Sequence, residues 1–170
     1  MAKATRDLKT LLRLERKTLW LACWMIDQAN RREKVGGHQA SSASMVLLMT
    51  ALYFDVLRPQ DRVAVKPHAS PVFHAIQYLM GNQTLEKLQN FRGYNGAQSY
   101  PSRTKDMDDV DFSMGSVGLG VGITPFASLI QDYIAAKGWS ATGDKPGRMI
   151  ALVGDAELDE GNVYEALQEG

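Results

Sequence analysis

An α/β fold, with a parallel sheet flanked by helices, is predicted by two runs of strand length set among helical segments. Residues 61–65 form a short β-branched run, and residues 149–153 form a continuous apolar one. A wholly apolar strand suits a parallel sheet buried on both faces. The second run ends in Gly154-Asp155, and in open α/β sheets ligands bind where strands end.

Taken in order, the chain starts with a predicted helix over residues 4–32. Leu8, Leu11, Leu12, Leu19, Ala22, Cys23 and Ile26 fall on one face at helical spacing. Val35-Gly36-Gly37-His38 breaks it, because paired glycines permit a tight backbone. A second helix is predicted over 40–56, apolar enough to be buried on several sides. The strand at 61–65 follows Pro59 and is ended by Pro67 and His68. Helices are expected over 71–80 and 84–91, the latter with Thr84 as N-cap. Residues 93–110 are rich in Gly, Ser, Asn and charge, lack either period, and form a loop long enough to suggest function. Four glycines between residues 113 and 122 precede a helix over 123–137. A turn over 143–147 leads to the apolar strand, and a last helix is expected at Asn162.

The 170 residues suffice for one buried core. Lys plus Arg and Asp plus Glu both total 19, so no net charge draws the chain to nucleic acid or an anionic membrane. The lone Cys23 has no internal disulfide partner, no apolar run approaches the ~20 residues of a membrane span, and no secretory leader pattern is visible. A cytoplasmic location is expected.

Asp155 stands where a hard cation would find a carboxylate, at the mouth of a sheet; the alternative is an Asp capping the next helix. Glu157, Asp159, Glu160 and Glu165 form an acidic cluster of the kind that favours the positive end of a helix. His38 and His68 lie at element ends, a placement that suits a site, though an isolated His is often structural. His74, inside a predicted helix, is expected to pack or cap. The Gly115 to Gly122 series suits either close backbone approach to an anion or tight helix packing. It is not a dinucleotide fingerprint, since neither the preceding strand nor the later acidic residue is convincing.

Their order along the chain is more specific than any one of these features. Gly36-Gly37-His38-Gln39-Ala40-Ser41-Ser42, Asp61-Arg62-Val63 leading to His68-Ala69, and Ser99-Tyr100-Pro101-Ser102 resemble segments of the homodimeric decarboxylating component of pyruvate dehydrogenase and, in part, of transketolase. The stretch from Asp111 to Gly120 is similar to the one whose backbone lies against thiamine diphosphate in these enzymes. Gly154-Asp155-Ala156-Glu157 resembles the start of the thiamine-diphosphate motif, with Ala156 in place of its third glycine. A further histidine common in the superfamily is replaced by Ser102.

The resemblance implies a domain arrangement of a helical extension over 1–34 and a partial diphosphate-binding domain over 35–170. It places Gly115, Ser116, Val117, Gly154, Asp155 and Ala156 against the cofactor, with Asp155 coordinating Mg²⁺ or Ca²⁺. His38 and His68 would serve proton transfer, and Glu160 and Glu165 fall on the family's buried glutamates near a subunit interface; these four are the candidate catalytic residues. The implied chemistry cleaves or decarboxylates next to a carbonyl through a cofactor carbanion, on a 2-oxo acid or a ketose phosphate, with a lean to pyruvate. By the same resemblance the chain is an N-terminal fragment that ends before the motif's closing Asn and before the pyrimidine-binding domain. A full-length homodimer, or a separate chain carrying the remaining domains, is the expected partner. A non-catalytic assembly module is the alternative.

Overall fold

The computed structural model describes residues 7–34, 37–140 and 145–169, which divide into two compact units. One takes the chain up to Leu57 together with His68–Val110; the other takes Arg58–Pro67 and the chain from Asp111 onward.

In the first unit, α1 (Leu8–Glu33) starts at Asp7, whose carboxylate accepts the Thr10 amide at 2.9 Å and satisfies one orphan donor of the first turn. The Thr10 hydroxyl and amide together hold Asp7 below its ordinary pKa. Leu21, Met25, Ile26 and Ala29, spaced three and four apart, bury one face of α1 against Ala75, Leu88, Phe91 and Ala97. The stripe predicted from Leu8 onward is covered only in its second half. Leu8 and Leu12 stay exposed.

The single helix expected over 40–56 is instead α2 (Gln39–Ala43), α3 (Val46–Ala51) and a π-helical turn, Leu52–Val56. Serines account for the first interruption: Ser44 donates back to the Ser41 carbonyl, the kind of local bond that competes with a helix ladder. In the π turn the Leu57 amide reaches the Leu52 carbonyl, and the wider turn buries Tyr53 and Phe54 in succession. α4 (Ser70–Met80) matches its prediction and is buried along most of its length, with Pro71 in its first turn. α5 (Leu85–Gln89) starts as predicted, with Thr84 Oγ1 accepting the Lys87 amide at 3.3 Å.

In the second unit, β1 (Arg62–Ala64) and β2 (Met149–Ala151) pair in parallel, Val63 opposite Ile150. The parallel α/β arrangement is as predicted, although both strands are shorter than their apolar runs. Among the described residues the sheet has two strands, so β2 is not at the centre of a wider one. α6 (Leu119–Ala136) begins before the expected residue 123 because Gly118 caps it with a left-handed φ of 80°. A Cβ there would fall 2.6 Å from Asn162 Oδ1, so glycine also lets α7 (Gly161–Glu169) approach. A 3₁₀ turn, Asp155–Asp159, joins β2 to α7. No helix among the described residues is long and apolar enough to cross a membrane.

Asp61 ties the two strand starts together. Its buried carboxylate accepts the Arg148 amide at 2.9 Å and the Arg58 amide at 2.9 Å, besides both guanidinium groups. The Arg148 hydrogen bond, working against burial, holds it well below the usual carboxylate range. A depressed carboxylate contributes stability above its unfolded value and loses it only as pH falls toward the folded one. Asp61→Ala strands two buried amide contacts, so urea unfolding should show a loss of about 2 to 3 kcal/mol; an unchanged midpoint would contradict this role.

Candidate functional site

Short segments position the two histidines. His38 immediately precedes α2 and is exposed; His68 sits half-buried in the 3₁₀ turn Pro67–Ala69. Their ring centroids lie 4.5 Å apart. Ser42, buried on α2, donates to the His68 carbonyl at 2.9 Å and so anchors that turn. The Tyr100 ring stands 6.4 Å from His68 on its edge. Two imidazoles and a phenol are all hydrogen-bonding groups of the kind used in proton transfer. Gly36 of the Gly-Gly-His stretch lies outside the described residues.

Tyr100 is presented by a loop fixed residue by residue. Gln98 and Ser102 both give their amides to Asp106, at 2.9 and 2.8 Å. Ser70 and His74, four apart on α4, bind consecutive carbonyls: Ser70 Oγ donates to Ser99, and His74 Nε2 donates to Gln98 at 2.9 Å. The other ring nitrogen, Nδ1, is hydrogen-bonded to Asp108. Burial opposes charge on this ring, but the Asp108 hydrogen bond and the negative charges of Asp108 and Asp106 together raise its pKa. His74 packs, as expected, but it also joins α4 to the loop through a buried ion pair.

Donor atoms of His74, Asp106 and Asp108 lie within 4.8 Å of one another, a spacing open to a metal ion. The atoms are nonetheless engaged: both Asp106 oxygens accept amides, and both His74 nitrogens are bonded. Asp108 Oδ1 alone among them is buried without a partner. The hydrogen-bonded ion pair of His74 with Asp108 accounts for the cluster.

The second unit carries the other predicted residues. Gly154 is buried at the end of β2 and Asp155 is exposed just beyond it. Glu157 lies within the acidic cluster read as a helix start, yet it is buried, its Oε2 accepting the Gly154 amide at 2.7 Å. That bond closes the turn and leaves the Asp155 carboxylate without a capping or ionic role among the described residues. Helix capping, the alternative for Asp155, is not observed. Gly115 and Ser116 are exposed and Val117 is half-buried, just ahead of the α6 cap. Ala156, Glu160 and Glu165 are exposed; the buried glutamate of this segment is Glu157. The sequence reading did not single out Lys66. It follows the β-branched run of β1 directly, is 8 % exposed, and lies against Gly154. A lysine continuing a buried strand was the available signal.

The family described as 1-deoxy-D-xylulose-5-phosphate synthase matches residues 3–170. The chain is 31% identical over 157 residues to a pyruvate dehydrogenase E1 component of Cupriavidus necator, covering 87% of this chain and 17% of that protein. It is 30% identical over 169 residues to the same component of Pseudomonas aeruginosa, covering 94% and 19%. A transketolase-like protein 2 of Mus musculus is 32% identical over 146 residues, covering 77% and 21%. The chain thus spans about a fifth of the length of these relatives, which carry both names given by the sequence resemblance.

Proposed function

Because the chain belongs to the 1-deoxy-D-xylulose-5-phosphate synthase family, we propose that it forms the diphosphate-binding part of a thiamine-diphosphate enzyme acting next to a carbonyl, with pyruvate as the leading substrate. The observation that carries this reading is the Asp155 carboxylate, exposed and untied four residues beyond β2 while neighbouring Glu157 is drawn back onto the Gly154 amide. Asp155 would offer a carboxylate oxygen to a hard cation such as Mg²⁺ or Ca²⁺, which takes ligands of this kind. Among the residues of this segment, the Asp155 carboxylate is the donor suited to such a cation.

In this reading Asp155 holds the metal, and the backbone of Gly115, Ser116, Val117, Gly154 and Ala156 lies along the cofactor. His38 and His68 hold and move protons at substrate oxygens, and the Tyr100 ring borders His68. Glu160 and Glu165, exposed in this chain, face a partner subunit. When bound, thiamine diphosphate supplies the carbon nucleophile and electron sink that the side chains lack. The lean to a 2-oxo acid rests on relatives named as pyruvate dehydrogenase components, and a cytoplasmic location accords with such a role. In an enzyme completed to the length of those relatives, pyruvate consumption should depend on both Mg²⁺ and thiamine diphosphate. Consumption of ketose phosphates with pyruvate untouched would move the assignment to ketol transfer.

A specific observation favours the second reading, an assembly module. In α6, Phe126, Leu129, Ile130 and Tyr133 are each at least half exposed, and exposed apolar patches of this kind mark interaction surfaces. The two readings are compatible if the remaining domains cover this face, as a homodimer or as a separate chain. This chain by itself should then self-associate in light scattering and bind cofactor more weakly than about micromolar. A monomer with tight binding would contradict that dependence.

A further inference from the structure

Tyr100 meets the edge of His68 from a segment that is neither helix nor strand, so side chains fix its backbone. Ser70 Oγ donates to the Ser99 carbonyl, Arg92 Nε donates to the Ser99 hydroxyl at 3.0 Å, and Asp106 accepts the Gln98 and Ser102 amides. His74 Nε2 completes the set by donating to the Gln98 carbonyl at 2.9 Å. Near neutral pH this last bond alone depends on a proton that can leave. Both ring nitrogens face acceptors, the Gln98 carbonyl and the Asp108 carboxylate, and an imidazole donates at both only as imidazolium. When one proton is lost, the other stays on Nδ1, because an ionised acceptor holds it more strongly than a carbonyl does. Nε2 then turns a lone pair toward the Gln98 oxygen, and the tie is lost.

The charges acting on this fully buried ring are those of Asp108 and Asp106. Phe73 and Phe91 flank it. Of the helices packed on α4, α2 and α3 contain no charged residue and α1 presents an apolar face, with Arg32 at its end bound to the Gln89 and Phe91 carbonyls. In α5, Glu86 is exposed and Lys87 binds Asn95. We propose that His74 is a positioning residue for the proposed reaction: held by Asp108 and donating to the Gln98 carbonyl, it sets Tyr100 beside His68, and it releases that segment when the Nε2 proton leaves. Ser70 keeps its own bond, so the segment shifts without unfolding. The inference rests on the proposed function only for the reaction that Tyr100 and His68 serve; the placement is a property of this chain.

The test follows the nuclear Overhauser contact between the Tyr100 and His68 rings in the isotope-labelled chain, beside kcat/KM for pyruvate in an enzyme completed to the length of its relatives. In the parent the contact should weaken as pH rises through the titration of His74, read from the His74 ring resonances. Asp108→Asn should keep the contact and abolish that dependence, because an amide donates to a neutral Nδ1 and leaves the proton on Nε2. Combining His74→Phe with Asp108→Leu exchanges a buried ion pair for apolar groups, which is often neutral for stability, yet removes the donor. This double variant should unfold near the parent's temperature, lack the contact at every pH, and lose up to about 100-fold in kcat/KM, as expected for a group displaced by about 1 Å. Asp108→Asn decides the point if the double variant does not fold. A contact that ignores the His74 titration, disappears in Asp108→Asn or persists in the double variant would overturn the proposal, as would an unchanged kcat/KM in a double variant that lacks it. If the contact behaves as expected while the completed enzyme leaves pyruvate untouched, the placement stands and the cofactor reading fails.

Discussion

Replacing Asp155 by Ala should lower affinity for magnesium thiamine diphosphate by on the order of 100-fold in an enzyme completed to the length of its relatives. Ala offers no oxygen, and Glu157 cannot substitute because its carboxylate closes the turn onto the Gly154 amide. Mg²⁺ holds near-ideal octahedral geometry, so a displaced carboxylate a few ångströms away is no replacement. Calorimetry at fixed ionic strength reads the effect directly. His74→Gln, which alters the first unit, should change cofactor affinity far less; an Asp155 variant binding as the parent does would refute the metal assignment.

The second large effect concerns the first unit. His74→Phe keeps a ring among Phe73 and Phe91 but leaves Asp108 buried without its cation. Breaking a buried pair in this way costs about 3 to 5 kcal/mol. Hydrogen exchange of the α1 and α4 amides in urea should report the loss, together with freer exchange at Gln98 in the loop that His74 holds. The pH dependence has a defined sign. His74 has its pKa raised in the folded state, so its contribution is fully present below the unfolded value of about 6.5 and declines as pH rises through the folded one. Stability of the parent should therefore fall with rising pH in that window, and the fall should be absent from His74→Phe. A parent whose stability rises there would show that the ring is neutral.

Local signals made much of the fold legible. Periodicity located α1, Thr84 announced the start of α5, and the apolar run before Gly154 announced a parallel strand. What remained hidden depends on partners distant in sequence. The break between α2 and α3 involves serine hydroxyls, one of which, on Ser42, bonds the His68 carbonyl 26 positions away. The pairing of His38 with His68 needs the turn at Pro67–Ala69 to fold back, which no spacing states. Glu157 looked like one more carboxylate of a helix start because its acceptor role depends on the turn that it helps to close. Lys66 looked like an ordinary charge at a strand end, and only its burial beside Gly154 distinguishes it. For His74, helical position suggested packing; the ion pair required Asp108, 34 positions later.

In the proposed site the cation and its phosphate ligand sit beyond β2. Substoichiometric Mn²⁺, added with thiamine diphosphate to the isotope-labelled chain, tests it even at weak affinity, because the ion broadens nearby amide resonances. Broadening is expected at residues 154–157 and 115–117. Broadening centred on His74, Asp106 and Asp108, with the Asp155 amide unaffected, would contradict it.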